Sequence, residues 1–441
     1  MATTPKIIVL DDDPTGSQTV HSCLLLLQWD VETLVLGLQD EAPIVFILTN
    51  TRALSPAQAQ AVTQEVCHNL KLAIAQAGVE EFLVVSRSDS TLRGHYPIET
   101  DAIAAELGPF DAHFMVPAFF EGGRITRDSV HYVVQNGVPI PAHETEFAND
   151  SVFGYSTAYL PDYVAEKTGG KIAADQVQRF TLDRLRAGCL EALQQLENNV
   201  CVAVDGEQQS DLNAFAQAVL QAAAQGQRFL FRSAASLLTA LAALPPQPVA
   251  ADEMAQYVKD HHPGAILVGS HVKKTTQQLQ ALLQAPDIVG VEVDVTQMVD
   301  DLAGGRSRLL TTTLTQVRQI HERGQTPAIY TSRQELTFPD VQTRLAFGEE
   351  VSALLMDILR GLPSDLGFLI SKGGITSNDT LSKGLALRTT RLLGQILPGC
   401  SVVRTAADHP QFSALPVVLF PGNVGDDNAL ALAYERLSRS V

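Results

Sequence analysis

The chain has 441 residues, 45% of them apolar, and a formal charge of −18 at pH 7. Such a length can bury substantial cores and suggests about two or three domains. The acidic balance argues against a large footprint on a nucleic-acid backbone, and no apolar run reaches the roughly 18 to 20 residues that a bilayer span requires.

The first predicted element is the strand Ile7–Leu10, a short continuous apolar run of the kind found in parallel sheets. It runs directly into "DDDPTG", residues 11 to 16, where Asp11, Asp12 and Asp13 are adjacent. These read either as a solvated turn with an Asp helix cap, or as charges held together by a metal, an arginine or a lysine. The opening residues lack the apolar core of a signal peptide, which makes the cytoplasm the default location.

Further strands are expected at Ile44–Thr49, Phe82–Ser86, His113–Val116, Cys201–Asp205 and Phe229–Arg232, with helices over Ala57–Ala77 and Asp211–Ala224. Arg52 follows the second strand. After the third comes "SRSDSTLRGHYPIE", residues 86 to 99, which packs Arg87, Asp89, Arg93 and His95 close together. It reads as a solvated loop or as a grip for a small anion, because a planar guanidinium holds a carboxylate or phosphate with two parallel hydrogen bonds. Arg52 and Arg87 are the expected hosts of such a carboxylate. "VPAFFEGGRIT", residues 116 to 126, brings Glu121, two glycines and Arg124 past another apolar run. His131, His143 and Glu144 lack metal-ligand spacing, and His131 and His143 are expected to be structural.

The Pro- and Ala-rich segment 241–253 is the expected linker, and a second α/β series follows it. Its strands are Ala265–Val268, Val291–Val295, Ala328–Thr331, Phe368–Ser371, Ser401–Arg404 and Val417–Phe420; its helices lie around 272–285, 341–360, 378–392 and 427–438. "VGSHVKK", "SKGGITS" and "LFPGNVG" each follow a strand and precede a helix, an arrangement suited to phosphate oxygens. Neither the P-loop nor the dinucleotide fingerprint is present. The cysteines at 23, 67, 189, 201 and 400 are scattered and read as small buried hydrophobes rather than disulfide or zinc ligands.

Taken in order, "DDDPTG", "SRSDSTLRGH", "PAFFEGGR", "GGITS" and "FPGNVG" resemble the four-carbon acid sugar kinase family over the whole chain. The resemblance implies two Rossmann-like α/β domains with mostly parallel sheets and a ligand cleft between them. It assigns residues 1–245 to sugar-acid binding and 246–441 to nucleotide binding. It further implies ATP and Mg²⁺ as cofactors, a substrate such as threonate, erythronate or 3-oxo-tetronate, and no nucleic-acid or membrane partner; a homo-oligomer is left open. Carried over by position, Asp12 and Asp13 are catalytic candidates, and Arg52, Arg87, Ser88, Asp89 and Ser90 lie on the substrate side. Ser270, Gly373, Gly374, Ile375, Thr376 and Gly422 lie on the nucleotide side, and no metal ligand set is identified. Where many relatives carry Asp-Asp-Phe-Thr-Gly, this chain has Pro14.

A second resemblance, to haloacid-dehalogenase-like phosphatases, rests on Asp11-x-Asp13-x-Thr15 and "VGDDNAL". It leaves "SRSDSTLRGH" and "GGITS" without roles. A non-catalytic sensor of sugar acids or nucleotides is the third reading.

Overall fold

The computed structural model describes residues 5–299, 301–333, 336–422 and 424–439. The chain divides into two compact units, Met1–Pro245 and Pro246–Val441. Both are mixed α/β, and among the described residues no helix is long and apolar enough to cross a membrane.

In the first unit, β1 (Lys6–Asp11), β2 (Leu24–Leu26), β3 (Ile44–Leu48), β4 (Phe82–Arg87) and β5 (Ala112–Val116) belong to a parallel sheet. An antiparallel trio follows, β6 (Arg124–Arg127), β7 (Val130–Gln135) and β8 (Val138–Pro141). The parallel sheet is completed by β9 (Gln178–Phe180), β10 (Val200–Val204) and β11 (Phe229–Ser233), in the order β2-β3-β1-β4-β11-β5-β10-β9. Every residue of β1, β3, β5 and β11 is buried, as expected for strands covered on both faces. The Pro56–Ala77 helix starts where Ser55 and Gln58 form a reciprocal cap, with Pro56 at its first position. The order of strands reverses beside β1 and β4, which opens a crevice at their carboxyl ends.

The second unit contains β12 (Ala265–Val268), β13 (Ile288–Val293), β14 (Thr326–Thr331), β15 (Leu369–Lys372), β16 (Thr389–Leu397), β17 (Cys400–Arg404) and β18 (Pro416–Phe420). They run in the order β13-β14-β12-β15-β18-β17-β16, parallel as far as β18 and antiparallel beyond it. The order reverses here between β12 and β15.

Two expectations need correction. The helix expected over 378–392 stops early: a helix at Gly374–Asp379 passes into a π turn at Thr380–Gly384, and Thr389 opens β16. Thr389, Thr390 and Ile396 suit a pleated surface, and the Pro398–Gly399 turn lets β16 fold back on β17, so hairpin pairing overrides the Leu- and Ala-rich helical signal. The strand expected at Val291–Val295 is displaced to Ile288–Val293, and Val295 begins a 3₁₀ turn capped by Asp294.

The core of the first unit includes Phe114, stacked on Phe231 at 5.1 Å and meeting Phe229 and Phe215 edge-on at 5.3 and 5.4 Å. Emptying that position in Phe114→Ala should lower the unfolding free energy by about 3–5 kcal/mol. The single tryptophan, Trp29, lies in this unit, so its fluorescence in a urea titration should report the lowered midpoint.

Candidate active site

The sheet register brings Asp11, the last residue of β1, opposite Arg87, the last of β4. Arg87 Nη1 lies 3.3 Å from Asp11 Oδ1 and 3.6 Å from Asp12 Oδ1. Arg52, in the turn after β3, clamps Asp12 from two sides: Nη2 to Oδ1 at 2.5 Å and Nε to Oδ2 at 3.1 Å. Its Nη1 stands 3.3 Å from Asp13 and 3.6 Å from Asp89. The Ser88 hydroxyl donates to Asp12 Oδ2 at 2.9 Å. Among the ways three adjacent carboxylates were expected to coexist, the structure shows pairing with arginine. Both guanidiniums expected to wait for a substrate carboxylate are committed to the chain's own acids.

The three acids differ in environment. Asp11 is buried and its carboxyl is pushed up to about 7, chiefly by burial, with Arg87 opposing. At Asp13, burial pushes upward, but Arg52, Arg87 and the bonds from Thr15 outweigh it and hold the carboxyl below its ordinary range. The Thr15 N–H donates to Asp13 Oδ1 at 2.8 Å and the Thr15 hydroxyl donates to the same oxygen. Asp13 keeps 23% of its side chain exposed, against 1% for Asp12, so it is the acid of the pair that a ligand can reach. Asp11, the nucleophile of the phosphatase reading, offers no such access. Glu99, which sequence reasoning missed, accepts from the Thr51 hydroxyl at 2.5 Å. Burial, reinforced by the charge of Asp12, raises it to about 7.

The loop after β4 is held by its backbone. Successive carbonyls each receive a buried side-chain donor: Asp89 from Arg232 Nη1 at 3.3 Å, Ser90 from His131 Nε2 at 2.7 Å, Thr91 from the Tyr155 hydroxyl at 2.8 Å and Leu92 from the Tyr163 hydroxyl at 2.7 Å. The Arg93 carbonyl accepts from Arg232 Nη2 at 2.7 Å. His131 is thus a satisfied structural histidine; burial pushes it down to about 4 and keeps the ring neutral. Asp89 accepts from Arg93 Nε at 2.9 Å and from Thr91, and the two arginines near it outweigh burial to hold it well below the ordinary range. Sequence reasoning missed Arg232, Tyr155 and Tyr163. The available signal for Arg232 was an arginine closing the otherwise apolar run "FLF".

In the second unit, register aligns Val268, Lys372 and Phe420, the last residues of β12, β15 and β18. Ser270, Gly373 to Thr376 and Gly422 follow those strand ends. Arg333 Nη1 holds the Ser270 carbonyl at 2.7 Å, and the Gly373 N–H donates to the Phe420 carbonyl at 2.8 Å. Gly373 has φ +120°, a conformation that favours glycine. Around Gly374 the space where a side chain would begin is open, and Ile375 is 74% exposed. Thr376 is buried, and Asn423 of the "PGNVG" loop lies outside the described residues. Lys372, also missed, is buried, and among the described residues it has no carboxylate partner: its ammonium donates to the carbonyls of Pro421 and Gly422 at 2.5 and 3.0 Å and lies 4.4 Å over the Phe420 ring. Burial lowers it to about 8.

The fold and these residues define a two-unit α/β protein with polar residues gathered at the strand ends of each sheet. Residues 7–241 match the sugar-binding N-terminal domain model, and residues 265–430 match the nucleotide-binding C-terminal domain model. The chain belongs to the four-carbon acid sugar kinase family and is a sugar-acid kinase. It is 24% identical to the D-erythronate kinase of Heliobacterium modesticaldum over 99% of this chain and 98% of that protein. It is 29% identical to the D-threonate kinase of Bordetella bronchiseptica over 36% of this chain and 38% of that one. Two solved structures share the fold over 97% of this chain and 98% of theirs. One, from Salmonella typhimurium LT2, has a TM-score of 0.71 at 20% identity; the other, from Haemophilus influenzae, 0.64 at 17%.

The raised carboxyls of Asp11 and Glu99 have a stability consequence. Between their ordinary values, 3.8 and 4.5, and about 7, the folded chain holds protons that the unfolded chain has released. Stability therefore falls as pH rises through that window and levels off above it. Urea unfolding should show this decline between about pH 5 and pH 7, and Glu99→Gln should make it shallower. Tyr163→Phe, which leaves the buried Leu92 carbonyl without its donor, should cost about 1–3 kcal/mol in the same assay.

Proposed function

We propose that the protein transfers the γ-phosphoryl group of ATP to a hydroxyl of a four-carbon sugar acid such as threonate, erythronate or 3-oxo-tetronate. The observation that carries this reading is the reachable, ionised Asp13 just past β1, paired with Arg52, which also reaches Asp89, and next to Asp12, to which Ser88 donates. Asp13 orients the attacking hydroxyl and accepts its proton as phosphoryl transfer proceeds. Asp12, locked by Arg52 and Ser88, positions that group, while Arg87, Asp89 and Ser90 complete the acid-binding side. The D-erythronate and D-threonate kinases to which the chain is similar support this substrate class.

On the nucleotide side, the open approach at Gly374 fits phosphate oxygens against the backbone, with Ser270 and Thr376 offering hydroxyls. Exposed Ile375 offers an apolar contact, and Gly422 lines the turn that Lys372 holds. Among the described residues no group of three or more His, Cys, Asp or Glu side chains is arranged to hold a metal ion. Mg²⁺, entering with the nucleotide, would supply neutralisation of the charge on the phosphates. The five free cysteines are all buried, which supports a cytoplasmic setting.

A panel of tetronates with ATP, read as coupled ADP release, tests the reaction. Asp13→Asn should lower kcat by about 10²-fold or more while KM for ATP stays within about twofold; wild-type turnover in this variant would remove Asp13 from the chemistry. Gly374→Val adds its side chain to open space, so it should fold, raise KM for ATP and leave sugar-acid binding intact. Phosphate released from sugar phosphates, without ADP formation, would favour the phosphatase reading.

A further inference from the structure

The carboxylate of a sugar acid needs a cation that the chain's own acids have not already neutralised, and neither Arg52 nor Arg87 is one. Arg52 is shared among Asp12, Asp13 and Asp89, and Arg87 is buried against Asp11 and Asp12. Arg93 is taken by Asp89 at 2.9 Å, with Asp150 at 3.7 Å. Arg232 also keeps a buried Nε without a partner, but it is fully buried and both its Nη atoms are spent on loop carbonyls and Ser88.

Arg124 is different. It opens β6, where Nη1 donates to the Gly122 carbonyl and the guanidinium lies over the Phe147 ring, 5.8 Å from the centroid. Its Nε is buried without a hydrogen-bond partner, and among the described residues no carboxylate oxygen lies within ion-pair distance of it. Arg93 lies over the same Phe147 ring at 5.2 Å, so Arg124 stands beside the Arg93–Asp89 pair. A side chain at Gly122 would begin 2.8 Å from Arg124 Nη1 and 2.5 Å from the Phe119 ring, so the glycine keeps room for the guanidinium.

We infer that Arg124 receives the carboxylate of the acid substrate, with Phe147 fixing the plane of its guanidinium; this rests on the proposal that the N-terminal unit binds a sugar acid. A largely buried guanidinium without a counterion is costly to keep. An entering carboxylate supplies the missing charge and accepts two parallel hydrogen bonds. Burial, aided by the charge of Arg93 and only partly offset by Asp89 and Glu146, depresses the Arg124 pKa, which agrees with a charge lacking a direct partner. Arg124 then sets specificity for acids over neutral polyols, while Asp12 and Asp13 act at the hydroxyl end.

The test compares each tetronate that the wild-type enzyme phosphorylates with its neutral amide, in wild type, Arg124→Gln, Arg124→Lys and Phe147→Leu. In Arg124→Gln, KM for the acid should rise about 10- to 100-fold, KM for ATP should stay within about twofold, and the preference for acid over amide should collapse. Arg124→Lys should recover part of that preference, because it restores charge without the planar fork. A merely structural role would weaken acid and amide alike. An unchanged acid-over-amide preference in Arg124→Gln, or in both Arg124→Lys and Phe147→Leu should the Gln variant fail to fold by Trp29 fluorescence, overturns the assignment alone. A wild-type enzyme that phosphorylates none of the tetronates overturns the proposed function and this assignment together.

Discussion

The ion-pair lattice that binds Asp11, Asp12, Asp13 and Asp89 to Arg52, Arg87 and Arg93 is the constraint on which the N-terminal unit depends. Three consecutive carboxylates at the end of a buried strand repel one another, and burial magnifies the repulsion. Arg52 arrives from the turn after β3 and Arg87 from the end of β4, so the parallel register of three strands is what brings the compensating charges. Removing either partner of such a buried pair leaves an uncompensated charge, typically at about 3–5 kcal/mol. Fold and site therefore share one set of interactions: the charges that would bind substrate also secure the edge of the sheet.

The loop following β4 extends the same economy to the backbone. A connection buried this deeply would carry unsatisfied carbonyls. Here His131, Tyr155 and Tyr163 each donate to one and Arg232 to two, and three of these four side chains come from the segment between β5 and β10. That segment carries the antiparallel trio and encloses a core containing Tyr155, Leu160 and Tyr163. The insertion thus acts as a mould for the loop, and its aromatic hydroxyls give the loop rigidity that its own residues could not.

Much of the parallel architecture was legible in the sequence because doubly covered strands are continuous apolar runs, and the strand ends could be read off their polar punctuation. The antiparallel trio was not. Its strands are short, β8 carries Pro139 and Pro141, and burial along β7 only alternates, so no run stood out. The Leu302–His321 helix was also hidden, since Gly304, Gly305 and three consecutive threonines mask its periodicity. At the site, residue types were visible but pairings were not. Asp12 and Arg52 are 40 positions apart, and nothing local says that this arginine answers the chain's own acid rather than a ligand's.

The two units solve the problem of holding charge in different ways, and the difference explains which parts of each could be read. The N-terminal unit arranges side chains of both signs, so its specificity lies in pairings that exist only after folding. The C-terminal unit presents backbone at the strand ends, with Gly373 in a glycine-favoured conformation and the buried cation Lys372 tying down the carbonyls of the neighbouring turn. Backbone recognition leaves a compositional trace in its glycines, whereas side-chain recognition leaves only an inventory of charges. A buried ammonium with two carbonyls, an aromatic face and no counterion is expensive by the same physics that governs Arg124. Where such cations persist in each unit, they lie at strand ends or in a turn beside the proposed ligand positions, where an entering anion would supply the missing charge.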